Sequence, residues 1–188
     1  RSDRRAPLLV LLHGAGGTAA SMLQRFRAEA ERRGIVLLAV KSRGATWDMI
    51  EANVANGRSA SRAGESRAFG VDVRRIDDAL ARTFRRLPID PDRIALGGFS
   101  DGASYALSVG VANPGLFRAV LAFSPGMVAR RGIFDPEPDQ PQRIFISHGQ
   151  SDTILSFRYT STRILPVLRG SRVALTFRPF EGGHVIPA

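Results

Sequence analysis

Short runs of apolar residues alternate along the chain with longer segments in which apolar residues recur at helical spacing. The short runs predict six strands, at 8–12, 35–40, 94–99, 120–123, 144–147 and 173–180. The longer segments predict helices at 19–33, 71–87, 101–113 and 158–169, the last of them kinked or ended early at Pro166. Strands that alternate with helices favour right-handed crossovers, so we expect a mostly parallel, doubly wound sheet of at least six strands with helices on both faces.

Two stretches, residues 41–70 and 124–142, lack a regular pattern. Each begins where a predicted strand ends, and ligands of open α/β sheets bind beyond the carboxyl ends of the strands. Each stretch therefore either lines a pocket or forms a plain surface loop. Neither is long enough to be a separate domain, so we expect one α/β domain over residues 1–188, without a cap domain.

The composition removes several classes of protein. The chain has 188 residues and no cysteine, which excludes disulfides, thiolate metal sites and a cysteine nucleophile. Apolar runs stay too short for a helix that spans a membrane. The chain also begins without a signal-like apolar stretch, and from this we expect a cytoplasmic location.

The charge is strongly basic, with 27 Lys+Arg against 17 Asp+Glu and a net charge of +10. Such a balance can indicate nucleic acid or an anionic surface as partner. However, the basic residues are spread over the whole chain, and most aromatic residues are phenylalanines within apolar runs. A nucleic-acid binder combines clustered basic residues with stacking aromatics, so we expect no nucleic-acid partner.

The segment Gly98-Phe99-Ser100-Asp101-Gly102 has the pattern G-x-S-x-G, and it lies between a predicted strand and a predicted helix. The pattern alone occurs often by chance, but on such a turn a serine has a strained backbone and a hydroxyl that stands clear of the sheet. The amino end of the following helix favours negative charge that develops nearby. We therefore predict that Ser100 is a nucleophile.

A serine nucleophile requires a base, and an acid that orients the base. His184 follows the last predicted strand on the loop Glu181-Gly182-Gly183-His184, and we predict that it is the base. Asp152 follows the end of another strand and is the predicted acid. The order Ser100, Asp152, His184 is the one expected for this fold. His13 and His148 each end a strand before a glycine, which favours structural roles.

The glycine-rich loop at residues 13–17 follows the first strand, where it can bring a backbone N–H close to a reacting carbonyl. We predict an oxyanion hole formed by the backbone N–H groups of Ala15 and Asp101, with Gly16 as the alternative to Ala15. A phosphate-binding loop is the competing interpretation, but neither G-x-G-x-x-G nor G-K-[ST] is present.

Apolar residues in the two irregular stretches are candidates for the wall that contacts the acyl group of a substrate. They are Trp47, Met49, Ile50, Met127 and Val128. The alternative for Trp47 is that it packs its loop against the sheet.

Four segments together resemble the small phospholipase/carboxylesterase family of the α/β-hydrolase superfamily, which includes acyl-protein thioesterases. They are Leu11-Leu12-His13-Gly14, Gly97-Gly98-Phe99-Ser100, Ala122-Phe123-Ser124-Pro125-Gly126 and Ile146-Ser147-His148-Gly149. The resemblance covers residues 8–186. The chain departs from it at Asp101 and at Gly102-Ala103, where many members have Gln or Met followed by two glycines.

The resemblance implies an α/β-hydrolase fold and a serine esterase with Ser100, Asp152 and His184 as catalytic triad. It implies a small-molecule carboxylic ester as substrate, with a short to medium acyl chain, and neither a cofactor nor a metal. Thioesterase, lysophospholipase or peptidase activity can use the same triad. A non-catalytic binding protein on this fold is the further alternative, although such a protein is expected to lose one triad member.

Overall fold

A computed structural model describes residues 5–55, 70–127 and 141–187, and within them the chain forms one parallel β-sheet. The spatial order of the strands is β2-β1-β3-β4-β5-β6, and every neighbouring pair is parallel. The strands are β1 (Ala6–Leu12), β2 (Val36–Val40), β3 (Ile89–Phe99), β4 (Ala119–Phe123), β5 (Gln142–Gly149) and β6 (Val173–Phe180). The predicted doubly wound parallel sheet is thus confirmed.

Helices connect these strands. They are α1 (Ala19–Arg33), α2 (Asp48–Ala55), α3 (Val71–Arg86), α4 (Asp101–Val111), α5 (Phe157–Tyr159) and α6 (Leu165–Arg169). The helix α2 was not predicted, because it lies in the stretch that showed no regular pattern. It has eight residues, too few for its buried Met49 and Ile50 to show a helical period. No described residue belongs to a cap domain.

Side chains of successive strand residues point to opposite faces of the sheet, and each face has its own core. One core contains Leu8, Val10 and Leu12 of β1 and is covered by α3, α4 and α6. The other contains Leu9 and Leu11 and is covered by α1. This division explains why β1 is apolar at every one of these positions, since a strand buried on both faces has no polar side.

The segment predicted as a helix at 158–169 is interrupted before Pro166. A π-helical turn (Thr160–Ile164) separates α5 from α6, and the Leu165 N–H bonds to the Thr160 carbonyl oxygen, five residues back. Proline has no N–H to donate and its ring crowds the preceding turn, so the regular α-helical pattern cannot pass through it. Pro166 therefore lies in the first turn of a new helix, where proline is tolerated.

The predicted ends of α1 are confirmed. The Thr18 hydroxyl oxygen accepts a hydrogen bond from the Ser21 N–H at 3.1 Å, and Gly34 has the left-handed backbone that ends a helix. Within the described ranges, no helix combines the length and the apolar character that crossing a membrane requires.

Candidate active site

Ser100 stands on a tight turn between β3 and α4. Its backbone angles, φ 57° and ψ −121°, are strained for a residue with a side chain. A Cβ at Gly98 would lie 2.2 Å from the Gly102 carbonyl oxygen, and a Cβ at Gly102 would lie 2.4 Å from the Leu12 carbonyl oxygen. The two glycines of the G-x-S-x-G pattern are therefore required by close backbone contacts on either side of the serine.

The imidazole of His184 links the two other predicted residues. Its Nε2 lies 2.8 Å from Ser100 Oγ, and its Nδ1 lies 2.7 Å from Asp152 Oδ2. The ring also packs against Phe99, with 4.8 Å between ring centroids. The carboxylate accepts a hydrogen bond from Nδ1–H, which leaves Nε2 unprotonated and able to accept the serine proton. This geometry is that of a hydroxyl activated by a base that an acid orients.

The side chain of Asp152 is fully buried, and hydrogen bonds satisfy both of its oxygens. The N–H groups of Ile154 and Leu155 each donate to Oδ1 at 2.9 Å, while His184 contacts Oδ2. Burial acts to raise the pKa of Asp152, but the hydrogen bonds from His184 and from the two backbone N–H groups outweigh burial. They hold that pKa below its ordinary value of 3.8, so the carboxylate is ionised at neutral pH.

The loops that carry the acid and the base are joined to each other by backbone contacts. The Ser151 N–H donates to the Gly182 carbonyl oxygen at 2.9 Å. A Cβ at Gly149 would lie 2.2 Å from the Gly183 carbonyl oxygen. These contacts fix Asp152 and His184 relative to each other, although the two residues are 32 positions apart in the sequence.

The glycine-rich loop after β1 passes beside the serine, since a Cβ at Gly14 would lie 3.1 Å from Ser100 Cβ. The N–H of Gly16, the predicted alternative oxyanion donor, is engaged elsewhere because it donates to the Ala45 carbonyl oxygen at 2.8 Å. This bond favours Ala15 over Gly16 as the predicted donor. Neither the Ala15 N–H nor the Asp101 N–H makes a hydrogen bond to a described residue.

Four of the five residues predicted to line the acyl wall are buried in the structure. Trp47, Met49, Ile50 and Met127 belong to the core beneath the site, with exposures of 0%, 1%, 5% and 2%. The Trp47 indole N–H donates to the His13 carbonyl oxygen at 2.8 Å. This is the alternative interpretation, in which Trp47 packs its loop against the sheet. Val128 lies outside the described residues.

Two carboxylates that the sequence analysis did not single out hold the loop between β2 and α2. Asp72 is fully buried, and it accepts the N–H groups of Arg43 at 2.7 Å and of Asp48 at 2.8 Å. Asp48 in turn accepts the Tyr105 hydroxyl at 2.8 Å. Burial and this hydrogen bond raise the pKa of Tyr105 well above its ordinary value, so the hydroxyl remains a donor. The same loop reaches the site through Thr46, whose hydroxyl donates to Asp101 Oδ2 at 2.7 Å.

The other two histidines, His13 and His148, are both buried, as structural residues would be. Of the two, His148 contacts Asp152, the predicted acid. His13 accepts the Ser42 N–H through Nε2 at 3.2 Å. His148 Nε2 lies 3.0 Å from Asp152 Oδ2, the oxygen that also binds His184. The sequence contained a signal for this contact, because Asp152 comes only four residues after His148, on the turn that follows β5.

The comparison with known proteins decides the family. The chain matches the phospholipase/carboxylesterase family over residues 1–187. It belongs to that family. A curated relative, the acetylxylan esterase of Coprinopsis cinerea, is 30% identical over 146 residues, which are 72% of this chain and 36% of the relative. This chain thus spans about a third of the length of that relative.

Solved structures of other proteins share the fold. A phospholipase/carboxylesterase from Dyadobacter fermentans has a TM-score of 0.72 at 20% identity, covering 98% of this chain and 86% of that one. The Bacillus cereus carboxylesterase has a TM-score of 0.68 at 21% identity, covering 97% and 82%. The α/β-hydrolase fold predicted for this family member is thereby confirmed. In the parts of the chain that the structure describes, no group of three or more His, Asp or Glu side chains is arranged to hold a metal ion.

Proposed function

We propose that this member of the phospholipase/carboxylesterase family is a serine esterase. Ser100 is the nucleophile, His184 the general base and acid, and Asp152 the residue that orients His184 and stabilises its imidazolium. The observation that carries the proposal is the continuous contact from Ser100 Oγ to His184 at 2.8 Å and from His184 to Asp152 at 2.7 Å. Side chains from three separate loops meet there in the order that proton transfer requires.

The proposed reaction has two steps. Ser100 Oγ attacks the acyl carbon of the ester while His184 Nε2 takes the hydroxyl proton, which gives a tetrahedral oxyanion. Collapse of this intermediate expels the alcohol, which receives the proton from His184, and leaves the acyl group on Ser100. Water then attacks the acyl-enzyme with His184 again as base, so that the carboxylic acid leaves and the serine is restored.

We infer that the oxyanion is bound by the backbone N–H groups of Ala15 and Asp101. Both N–H groups lack an acceptor among the described residues. Asp101 follows Ser100 directly, and Gly14, the residue before Ala15, passes beside Ser100. Asp101 also begins α4, whose amino end carries partial positive charge that favours the oxyanion.

Hydrolysis of p-nitrophenyl acetate, butyrate and octanoate tests the proposal and ranks the acyl chains. We expect turnover by the wild type, with the shorter two preferred, and a loss of roughly 10⁴-fold or more in Ser100→Ala. Ser21→Ala, a change on the exposed face of α1, is the matched control and keeps full activity. A folded Ser100→Ala protein that still hydrolyses these esters contradicts the proposal.

The similarity to an acetylxylan esterase favours one substrate class within this proposal, the acetyl esters of xylan. Release of acetate from acetylated xylo-oligosaccharides is the direct test. Acetate release at a rate comparable with p-nitrophenyl acetate hydrolysis supports xylan acetyl groups as substrate. Turnover of p-nitrophenyl acetate without acetate release from the oligosaccharides rejects xylan and leaves the esterase proposal standing.

A further inference from the structure

A second imidazole lies against the acid of the proposed triad. His148 is fully buried at the end of β5, and its Nε2 is 3.0 Å from Asp152 Oδ2. The same oxygen binds His184 Nδ1 at 2.7 Å. Asp152 Oδ2 therefore contacts two histidines, and it is His184 that bonds to Ser100.

The surroundings of His148 fix which ring nitrogen carries a proton. Its Nε2 lies 2.9 Å from the Leu155 carbonyl oxygen as well as beside the Asp152 carboxylate. Both oxygens only accept hydrogen bonds, so Nε2 carries a proton whether the ring is neutral or charged. That N–H donates to Leu155 and presents its positive end beside the carboxylate.

Two hydrogen bonds through Leu155 connect His148 to the acid. The ring donates to the Leu155 carbonyl, and the Leu155 N–H donates to Asp152 Oδ1 at 2.9 Å. His148 thus holds the turn of residues 152–155 from one side while the carboxylate holds it from the other. A shift of the ring moves Leu155 and, through it, the orientation of the carboxylate.

The other ring nitrogen of His148 is held by the π-helical turn. Its Nδ1 lies 2.9 Å from Thr160 Oγ1, and that hydroxyl is 3.0 Å from the Pro125 carbonyl oxygen. Thr160 is fully buried, and the His148 ring packs at a near right angle to the Phe157 ring, with 5.9 Å between centroids. π-helical turns are often found at functional positions, and here the turn provides the side chain that orients the ring.

We propose that His148 is a positioning residue of the esterase reaction, which fixes the Asp152 carboxylate and moderates its charge, with Thr160 holding the His148 ring. The inference rests on the proposed function, because it needs Asp152 to be the acid of the triad. His148 acts through Asp152 on His184. The bond to Ser100 is made by His184.

Two effects follow from removing the His148 ring. The carboxylate loses its fixed orientation, which lowers kcat, since small displacements of catalytic groups are costly. It also loses the positive N–H end beside Oδ2, so more of its negative charge acts on His184 and favours the imidazolium. A base must be unprotonated to act, so the acid limb of the pH–rate profile moves to higher pH. Asp152 and His184 are the titratable groups in contact with this system among the described residues; Phe157 and Thr160 are uncharged.

The test compares His148→Leu with His148→Gln on p-nitrophenyl butyrate from pH 5 to pH 9. Leu removes every donor, whereas the Gln side-chain amide can still donate to the Leu155 carbonyl. For His148→Leu we expect kcat to fall about 10- to 100-fold with little change in KM. We also expect the acid limb of the pH–rate profile to move to higher pH by about 0.5 to 1 pH unit. His148→Gln restores most of kcat and the position of the limb.

A merely structural role gives a different result. In that case His148→Leu lowers the fraction of folded protein, but the acid limb and the kcat of the folded fraction match the wild type, and the inference is overturned. If His148→Leu does not fold, Thr160→Val and Thr160→Ser replace it, because Val removes the hydroxyl that holds the ring and Ser keeps it. We then expect Thr160→Val to lower kcat and shift the acid limb of the pH–rate profile, and Thr160→Ser to leave both unchanged. Equal kcat and equal acid limbs in the two variants overturn the inference.

Wild type and Ser100→Ala are measured in the same series, so that a failure of the proposed esterase function can be distinguished from a failure of the proposed role of His148. Loss of activity in Ser100→Ala with an unshifted His148→Leu profile rejects the role of His148 alone. Full activity in folded Ser100→Ala rejects the proposed function, and the role of His148 with it.

Discussion

The N–H of Gly16 donates a hydrogen bond to the carbonyl oxygen of Ala45 at 2.8 Å, which ties the loop after β1 to the loop after β2. The next residue, Thr46, bonds through its hydroxyl to the carboxylate of Asp101 at 2.7 Å. The loop after β2 therefore contacts both segments that carry the proposed oxyanion donors. It supports the site without itself containing a reacting group.

This arrangement predicts a role for the Thr46 hydroxyl. Thr46→Val removes one hydrogen bond to a charged group, and we expect a loss of about 1.5–3 kcal/mol in the free energy of unfolding. Because the bond also holds Asp101, kcat for p-nitrophenyl butyrate should fall several-fold. Thr46→Ser keeps the hydroxyl and is the matched control. Equal stability and kcat in the two variants would contradict this account of the loop.

The site could be predicted from the sequence largely because its residues follow strands. Ser100, Asp152 and His184 each come shortly after a recognisable strand, and parallel strands bring their carboxyl ends to one edge of the sheet. The topology alone thus brought together three residues that are far apart in the chain.

What the sequence did not predict depends on contacts between loops. Trp47 occurs in an irregular stretch, where an apolar residue can equally line a pocket or pack inward. Its burial is set by the His13 carbonyl that accepts its indole N–H. The engagement of Gly16 likewise depends on Ala45, a residue of another loop. No local pattern of either loop carries this information.

The burial of Trp47 has a measurable consequence. In Trp47→Phe the buried His13 carbonyl loses its donor, which costs about 1–3 kcal/mol of the free energy of unfolding. The ratio of p-nitrophenyl acetate to octanoate hydrolysis should stay as in the wild type, since the indole has no exposed surface. Urea denaturation and the ester series measure the two effects. A changed acyl preference without loss of stability would indicate that Trp47 contacts the acyl group and would contradict the packing role.

The glycines on either side of Ser100 have no room for a side chain, whereas Gly115 has open space around it. Gly102→Ala places a Cβ 2.4 Å from the Leu12 carbonyl oxygen, and main-chain atoms of a central strand cannot give way. We expect a loss of at least about 3 kcal/mol in stability, measured by thermal or urea unfolding. Gly115→Ala is the control, because its Cβ meets nothing within 4 Å, and its stability should stay within about 1 kcal/mol of the wild type. Similar stability in both variants would contradict the close packing of the turn.

The ionised carboxylate of Asp152 makes stability depend on pH. Its pKa is lower in the folded chain than its ordinary value of 3.8, so its contribution is complete above that value and is lost as pH falls through the folded pKa. Asp152→Asn cannot titrate. We expect the stability difference between wild type and this variant to shrink as the pH falls below about 4. Urea unfolding at several pH values measures it, and a difference that stays constant on acidification would show that the pKa is not lowered.

In the proposed reaction His184 makes Ser100 a nucleophile, and a fluorophosphonate probe can detect this activation because such probes react with activated serines. Labelling is followed by peptide mapping in the wild type, Ser21→Ala and His184→Ala. We predict one adduct, on Ser100, in the wild type and in Ser21→Ala, and very slow labelling in folded His184→Ala. An adduct on another serine, or labelling of Ser100 at the same rate without His184, would contradict the account.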